Sequence, residues 1–152
     1  MSQLSIGDTA PDFTLPGTGD RSYSLREYRG RPVVLVFYPG DDTPVCTKQL
    51  NSYNDGLDQF TALDAQVLAI SAQDVASHDE FSDKHGFEFP LLADVDKTVA
   101  AAYGTLGPIG FPRRSVFIID REGIVRYAHR AIAGLTYRPV SELVEALAAL
   151  DA

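Results

Sequence analysis

Val33-Val34-Leu35-Val36-Phe37-Tyr38 is an uninterrupted run of β-branched, aliphatic and aromatic residues. Such a run has no polar face to offer solvent, so it predicts a strand buried on both sides of a sheet. Pro39-Gly40-Asp41-Asp42 then breaks the pattern, and a helical period follows. A second buried strand is expected over 66–70, around Val67, Leu68 and Ile70. Strand, helix and strand in that order make a β-α-β unit, and hence a parallel pair at the centre of an α/β sheet.

The helix between them is predicted to run over about 44–63. Thr43 suits the N-cap and Pro44 the first helical position, which puts Cys46, the only cysteine of the chain, in the first turn. The unpaired N–H groups and positive dipole end found there favour a thiolate, the nucleophilic form of cysteine. Leu50, Tyr53, Leu57 and Phe60 continue at helical spacing, and Cys46 lies on the same apolar stripe. Its thiol should therefore point inward. A lone buried cysteine is commonly an inert hydrophobe, and burial disfavours the thiolate, so a reactive Cys46 needs a cation nearby as well as the helix end.

Elsewhere a short hairpin is expected from 13–15 and 23–25 around the turn Pro16-Gly17-Thr18-Gly19-Asp20. Ser77-His78-Asp79-Glu80 has capping-box spacing and predicts a helix ending at Gly86. A short helix over about 97–103 and a glycine- and proline-broken loop over 104–112 come next. Strands at 115–119 and 124–128 are joined through Asp120-Arg121-Glu122-Gly123, and Val140, Leu143, Val144, Leu147 and Leu150 form the apolar face of a last helix. The 152 residues fit one domain, 1–152.

Pro39-x-x-x-Thr43-x-x-Cys46, placed between a buried strand and a helix, resembles the active-site motif of the peroxiredoxins (alkyl hydroperoxide reductase C / thiol-specific antioxidant). Ala10-Pro11-Asp12-Phe13-Thr14-Leu15-Pro16 resembles that family's N-terminal entry, and Arg114-Ser115-Val116-Phe117-Ile118-Ile119-Asp120 the strand bearing its arginine. Cys46-Thr47-Lys48-Gln49 is most similar to the bacterioferritin comigratory protein (PrxQ) branch. The resemblance implies a thioredoxin-like α/β fold with an N-terminal hairpin and a central mixed sheet flanked by helices. It implies an antioxidant thiol peroxidase that reduces hydrogen peroxide and organic hydroperoxides through a Cys46 sulfenic acid, without a cofactor. Members of the branch commonly carry a resolving cysteine five residues on, where this chain has Asn51. With a single cysteine no internal disulfide can form, so an external thiol is expected to close the cycle: thioredoxin, glutaredoxin or a low-molecular-weight thiol.

Arg114 is the expected cation, three residues before Phe117 as in the family's Arg-x-(Ser/Thr)-Phe pattern, with Val116 in place of the hydroxyl. Strand alternation sends Arg113 to the other face, so only one of the two can serve. The residues leave Thr43 open between capping the helix and holding a peroxide, and the resemblance implies the second. By the same resemblance Pro39 shields the sulfur, and Val45 and Cys46 offer backbone N–H groups to substrate. Asp41 and Asp42 would oppose a thiolate and are expected to face solvent. His78, His85 and His129 match no ligand or triad spacing and are read as surface residues, and no metal cluster stands out.

A formal charge of −8 argues against a nucleic-acid partner and disfavours anionic substrates, the latter unless Lys48, Arg113 and Arg114 make the pocket locally positive. There is no long apolar run for a membrane and no signal-peptide pattern at the start, so a cytoplasmic location is expected, and the PrxQ resemblance implies a monomer or homodimer. Two alternatives to turnover remain on sequence grounds: a thiol redox sensor or relay, and a catalytically weak thioredoxin-like interaction domain.

Overall fold

The computed structural model describes residues 4–41, 43–107, 110, 112–131 and 137–150. Its elements are β1 (Thr14–Gly17), β2 (Arg21–Ser24), a 3-10 turn (Leu25–Tyr28), β3 (Val33–Phe37), α1 (Pro44–Asp55), α2 (Leu57–Thr61), β4 (Gln66–Ser71), α3 (Val75–His85), β5 (Leu91–Ala93), α4 (Thr98–Ala102), β6 (Ser115–Ile119), β7 (Val125–Arg130) and α5 (Val140–Ala149). The strands form one mixed sheet in the order β2-β1-β5-β4-β3-β6-β7.

β3 lies between parallel β4 and antiparallel β6, and all five of its residues are buried. The continuous apolar run is thereby explained: both faces of the strand are covered. Val34, Val36 and Tyr38 point into one core with Cys46, Leu50 and Tyr53 of α1, Phe60 of α2, Phe81 of α3 and Leu143 and Leu147 of α5. Val33, Leu35 and Phe37 point into a second core with Phe13, Tyr23, Val99, Tyr103 and Phe117. The N-terminal hairpin joins the sheet through the pairing of Gly17 with Leu92. Only glycine fits at position 17, because an added Cβ would stand 2.8 Å from both the Leu91 carbonyl oxygen and the Tyr23 ring. Among the described residues no helix is long and apolar enough to cross a membrane.

Two expected boundaries are corrected. The helix expected over 44–63 is broken at Gly56 into α1 and α2. Glycine is a poor helix former, and here α5 presses on it: a Cβ at Gly56 would lie 3.0 Å from a Val140 methyl. The helix expected to start with the Ser77 capping box begins earlier, at Val75, because Asp74 is the N-cap and accepts from the Ser77 N–H at 2.9 Å. Its end is as expected, at Gly86 in the left-handed conformation.

Asp120 closes the β6–β7 turn. Burial opposes its ionisation, but the Ile124 and Glu122 N–H groups and the Arg126 guanidinium outweigh burial and hold the carboxyl below its ordinary range. Asp12 is likewise held low, burial being overcome by Arg26 and the Phe13 N–H. A carboxyl lowered in the folded state contributes stability fully present above its unfolded value, about 3.9, and lost as pH falls through the folded value. The expected melting temperature is therefore level from neutral pH to about pH 5 and falls below about pH 4, less steeply in Asp120→Asn. Scanning calorimetry across that range checks it.

Candidate active site

Cys46 is fully buried in the first turn of α1, at the end of β3 and against the sheet. The first closed helical bond at this end runs from the Thr47 N–H to the Thr43 carbonyl at 2.9 Å. Helix geometry therefore leaves the Val45 and Cys46 N–H groups without intrahelical acceptors, and Pro44 has none to give. These donors and the helix dipole meet where the sulfur sits.

The cation comes from β6. Arg114 precedes that strand immediately, is only 3% exposed, and donates from Nη2 to Cys46 Sγ at 3.3 Å. Its Nη1 donates to Gln49 Oε1 at 2.6 Å. Alternation along β6 puts Val116 and Ile118 in the α1-facing core and Phe117 and Ile119 in the other, and Arg114 is in phase with the first set. Of the expected cationic cluster, Arg114 alone is brought to the sulfur. Lys48 is exposed, and Arg113 lies close enough to Arg130 to lower the latter's affinity for its proton, after burial, which is the larger cause.

Gln49 escaped the sequence reading. Fully buried one turn after Cys46, it also donates through Nε2 to the Tyr53 hydroxyl at 3.2 Å, and that hydroxyl donates to the Arg138 carbonyl at 2.7 Å. Burial pushes the Tyr53 phenol up to about 12, which keeps it a donor. Gln49 thus holds the guanidinium in place through a neutral acceptor. Its signal in the sequence was the spacing Cys46, Gln49, Tyr53 along one helix face. Replacing it by glutamate supplies a buried carboxylate against Arg114, so Gln49→Glu is expected to slow the reaction of Cys46 with peroxide by about tenfold at neutral pH. A stopped-flow rate measurement checks this.

Thr43 occupies the N-cap position but makes no side-chain cap bond, so the capping reading of its hydroxyl is set aside. Instead the hydroxyl donates to the carbonyl of buried Gly40 at 3.1 Å within the β3–α1 loop. Pro39 is half-buried in the same loop, and Val45 and Asn51 are half-buried on α1.

Two expectations fail. Asp41 does not face solvent: its side chain is 3% exposed and accepts from the Tyr38 hydroxyl at 2.6 Å and the Ser77 hydroxyl at 2.7 Å, with His78 Nδ1 at 2.7 Å. Burial opposes its ionisation, yet the His78, Tyr38 and Ser77 bonds prevail and hold the carboxyl below its ordinary range. Asp42 lies outside the described residues. His78 is no surface residue but is fully buried, and His85 and His129 are half-buried, His85 against the Phe81 and Phe87 rings. The missed signal was phase: His78 stands three residues before Phe81, on the buried face of α3.

The AhpC/TSA family model matches residues 6–128. The chain is 39% identical over 129 residues to peroxiredoxin Q, chloroplastic, of Oryza sativa subsp. japonica, covering 84% of this chain and 59% of that protein. A Mycobacterium tuberculosis protein named as a peroxiredoxin is 39% identical over 129 residues, with 80% and 82% covered. The chain spans about three fifths of the length of the plant relatives it matches. In structure it is similar to a cysteine-to-serine mutant of PrxQ from Xylella fastidiosa, with TM-score 0.90, 30% identity and 100% of both chains covered. It is also similar to the peroxidoxin BcpB of Mycobacterium tuberculosis, with TM-score 0.84, 32% identity and coverage of 98% and 97%.

Proposed function

Because the chain belongs to the AhpC/TSA family, we propose that it is a thiol-dependent peroxidase whose nucleophile is Cys46. The observation that carries this reading is the Arg114 guanidinium 3.3 Å from the only sulfur nucleophile of the chain, in the first turn of a helix. The Cys46 thiolate attacks one oxygen of a hydroperoxide, forming an S–O bond as the O–O bond breaks. The departing oxygen takes a proton and leaves as water or an alcohol, and Cys46 is left as a sulfenic acid. Arg114 and the N–H groups of Val45 and Cys46 stabilise first the thiolate and then the negative charge growing on the departing oxygen. Thr43 and Pro39, on the loop over the sulfur, hold and enclose the peroxide.

A sulfur with no measurable exposure admits small oxidants ahead of bulky ones. The lone cysteine makes the second half of the cycle intermolecular. Two external thiol equivalents convert the sulfenic acid to thiol and water and become a disulfide; thioredoxin, glutaredoxin and low-molecular-weight thiols all supply that chemistry. A cytoplasmic monomer or homodimer belongs to the same proposal.

The test is intact mass after limiting peroxide. One added oxygen per chain, trapped on Cys46 by a sulfenic-acid reagent, is the expected result. No adduct at stoichiometric peroxide would overturn the reading and favour an interaction domain.

A further inference from the structure

Behind the β3–α1 loop lies a buried charged cluster that the peroxide chemistry leaves unused. His78, on α3, has acceptors at both ring nitrogens: Asp41 Oδ2 stands 2.7 Å from Nδ1, and the Leu92 carbonyl oxygen 3.0 Å from Nε2. A carbonyl oxygen can only accept, so Nε2 carries a hydrogen. One proton remains to be shared between Nδ1 and Asp41. Imidazole is by nature the stronger base of the two. Asp41 moreover already accepts from the Tyr38 and Ser77 hydroxyls, which is the environment of an ionised carboxylate. The Tyr38 phenol, made a weaker acid by burial and by the Asp41 charge, remains the donor in its bond. Both nitrogens of His78 thus face acceptors in the core, one of them a carboxylate.

We propose that His78 is a charged positioning residue, neutralising Asp41 so that a carboxylate can anchor the active-site loop without opposing the Cys46 thiolate. Asp41 is tied twice: its side chain to α3 through His78 and Ser77, and its backbone N–H to Gln73 Oε1 at 3.0 Å. Asp41 stands five residues before Cys46 on the segment that leads into α1, and Tyr38 joins the two sites, bonded to Asp41 and packed in the same core as Cys46. A carboxylate is an excellent anchor for such a loop because it accepts several bonds at once. Its drawback is electrostatic, and His78 cancels it. Among the described residues the groups facing His78 are Asp41 and Tyr38 from the β3 end and the Leu92 carbonyl of β5, while Ser77 on its own helix bonds Asp41. Those facing Cys46 are Arg114 and Tyr38. The charge state of His78 is independent of the peroxidase reading, and the consequence for Cys46 is read by alkylation, without peroxide, so the two proposals fail separately.

Two measurements test it. In uniformly 15N-labelled protein, long-range proton–nitrogen correlations assigned by their loss in His78→Gln are expected to show both ring nitrogens protonated at pH 7. A neutral tautomer at that pH would overturn the proposal, and this measurement needs no variant to be active. In His78→Gln the Asp41 charge is uncompensated, so Cys46 alkylation by iodoacetamide at pH 7 is expected to slow about tenfold. Asp41→Asn combined with His78→Gln removes both charges and is expected to recover most of the lost rate. Equal slowing in the single and double variants would reduce the cluster to packing and overturn the proposal.

Discussion

Arg114→Ala is expected to slow the reaction of Cys46 with hydrogen peroxide by about 10³- to 10⁴-fold at pH 7. Two separable losses combine. An ordinary thiol of pKa about 8.5 is roughly 3% ionised at pH 7, so loss of the cation lowers the thiolate supply by at most about 30-fold. Removing a preorganised donor to charge developing in a transition state costs a further 10² to 10³, as an order of magnitude. Raising the pH above about 9 should restore the first factor and leave the second. Arg114→Lys keeps a charge but cannot bond Cys46 and Gln49 together through one planar fork, as the guanidinium does at 3.3 and 2.6 Å. It is expected to recover only part of the rate. Stopped-flow rates for the two variants across pH decide the matter, and a change under about tenfold in Arg114→Ala would remove Arg114 from the chemistry.

The largest effect on stability is expected from Phe117→Ala. Phe117 is fully buried at the centre of the second core, edge-on to Phe37 and Tyr103 with ring centroids 5.9 and 5.3 Å away, and with the Arg130 guanidinium 4.9 Å above its ring. Truncation loses the burial of an aromatic side chain and leaves a cavity that the paired strands β3 and β7 cannot collapse to fill, a loss of about 3–5 kcal/mol. At roughly 2–4 °C per kcal/mol for a chain of this size, the melting temperature should fall by about 6–20 °C. Phe117 faces away from Cys46, so the folded fraction should keep the Arg114 contact and react with peroxide within a fewfold of the parent rate. Calorimetry and stopped flow on one preparation test both halves. A large kinetic loss in protein that is still folded would show that the two faces of β6 are coupled.

The parts of the fold legible from sequence are those with a strong local cause. The apolar run Val33 to Phe37 announced a strand covered on both faces, Pro44 marked the start of α1, and Gly86 the end of α3. Helix phase placed Cys46 inward, strand phase allowed only one of Arg113 and Arg114 to reach it, and the family resemblance chose Arg114. The misreadings arose where a contact distant in sequence overrode a local preference. Nothing within a turn of Gly56 announces Val140, whose approach accompanies the break between α1 and α2. Asp41 and His78 are each more at home on a surface, and they are buried because α3 brings the imidazole to the carboxylate across 37 residues of sequence. Gln49 has no chemistry of its own to attract attention, and its role exists only because Arg114 arrives 65 residues later.

The sequence by itself determined the alternation of elements, the parallel core they imply, the inward-facing cysteine in a helix's first turn and the intermolecular fate of any disulfide. All of these follow from periodicity, capping and composition, which act over one or two turns of chain. Tertiary structure alone decided the state of the charges around that cysteine. A guanidinium aimed at the sulfur by a neutral glutamine, and an aspartate made harmless by a buried imidazolium, are pairings between separate strands and helices. Their energies depend on distance and exclusion from water, and neither is fixed until the sheet and the helices on it have closed.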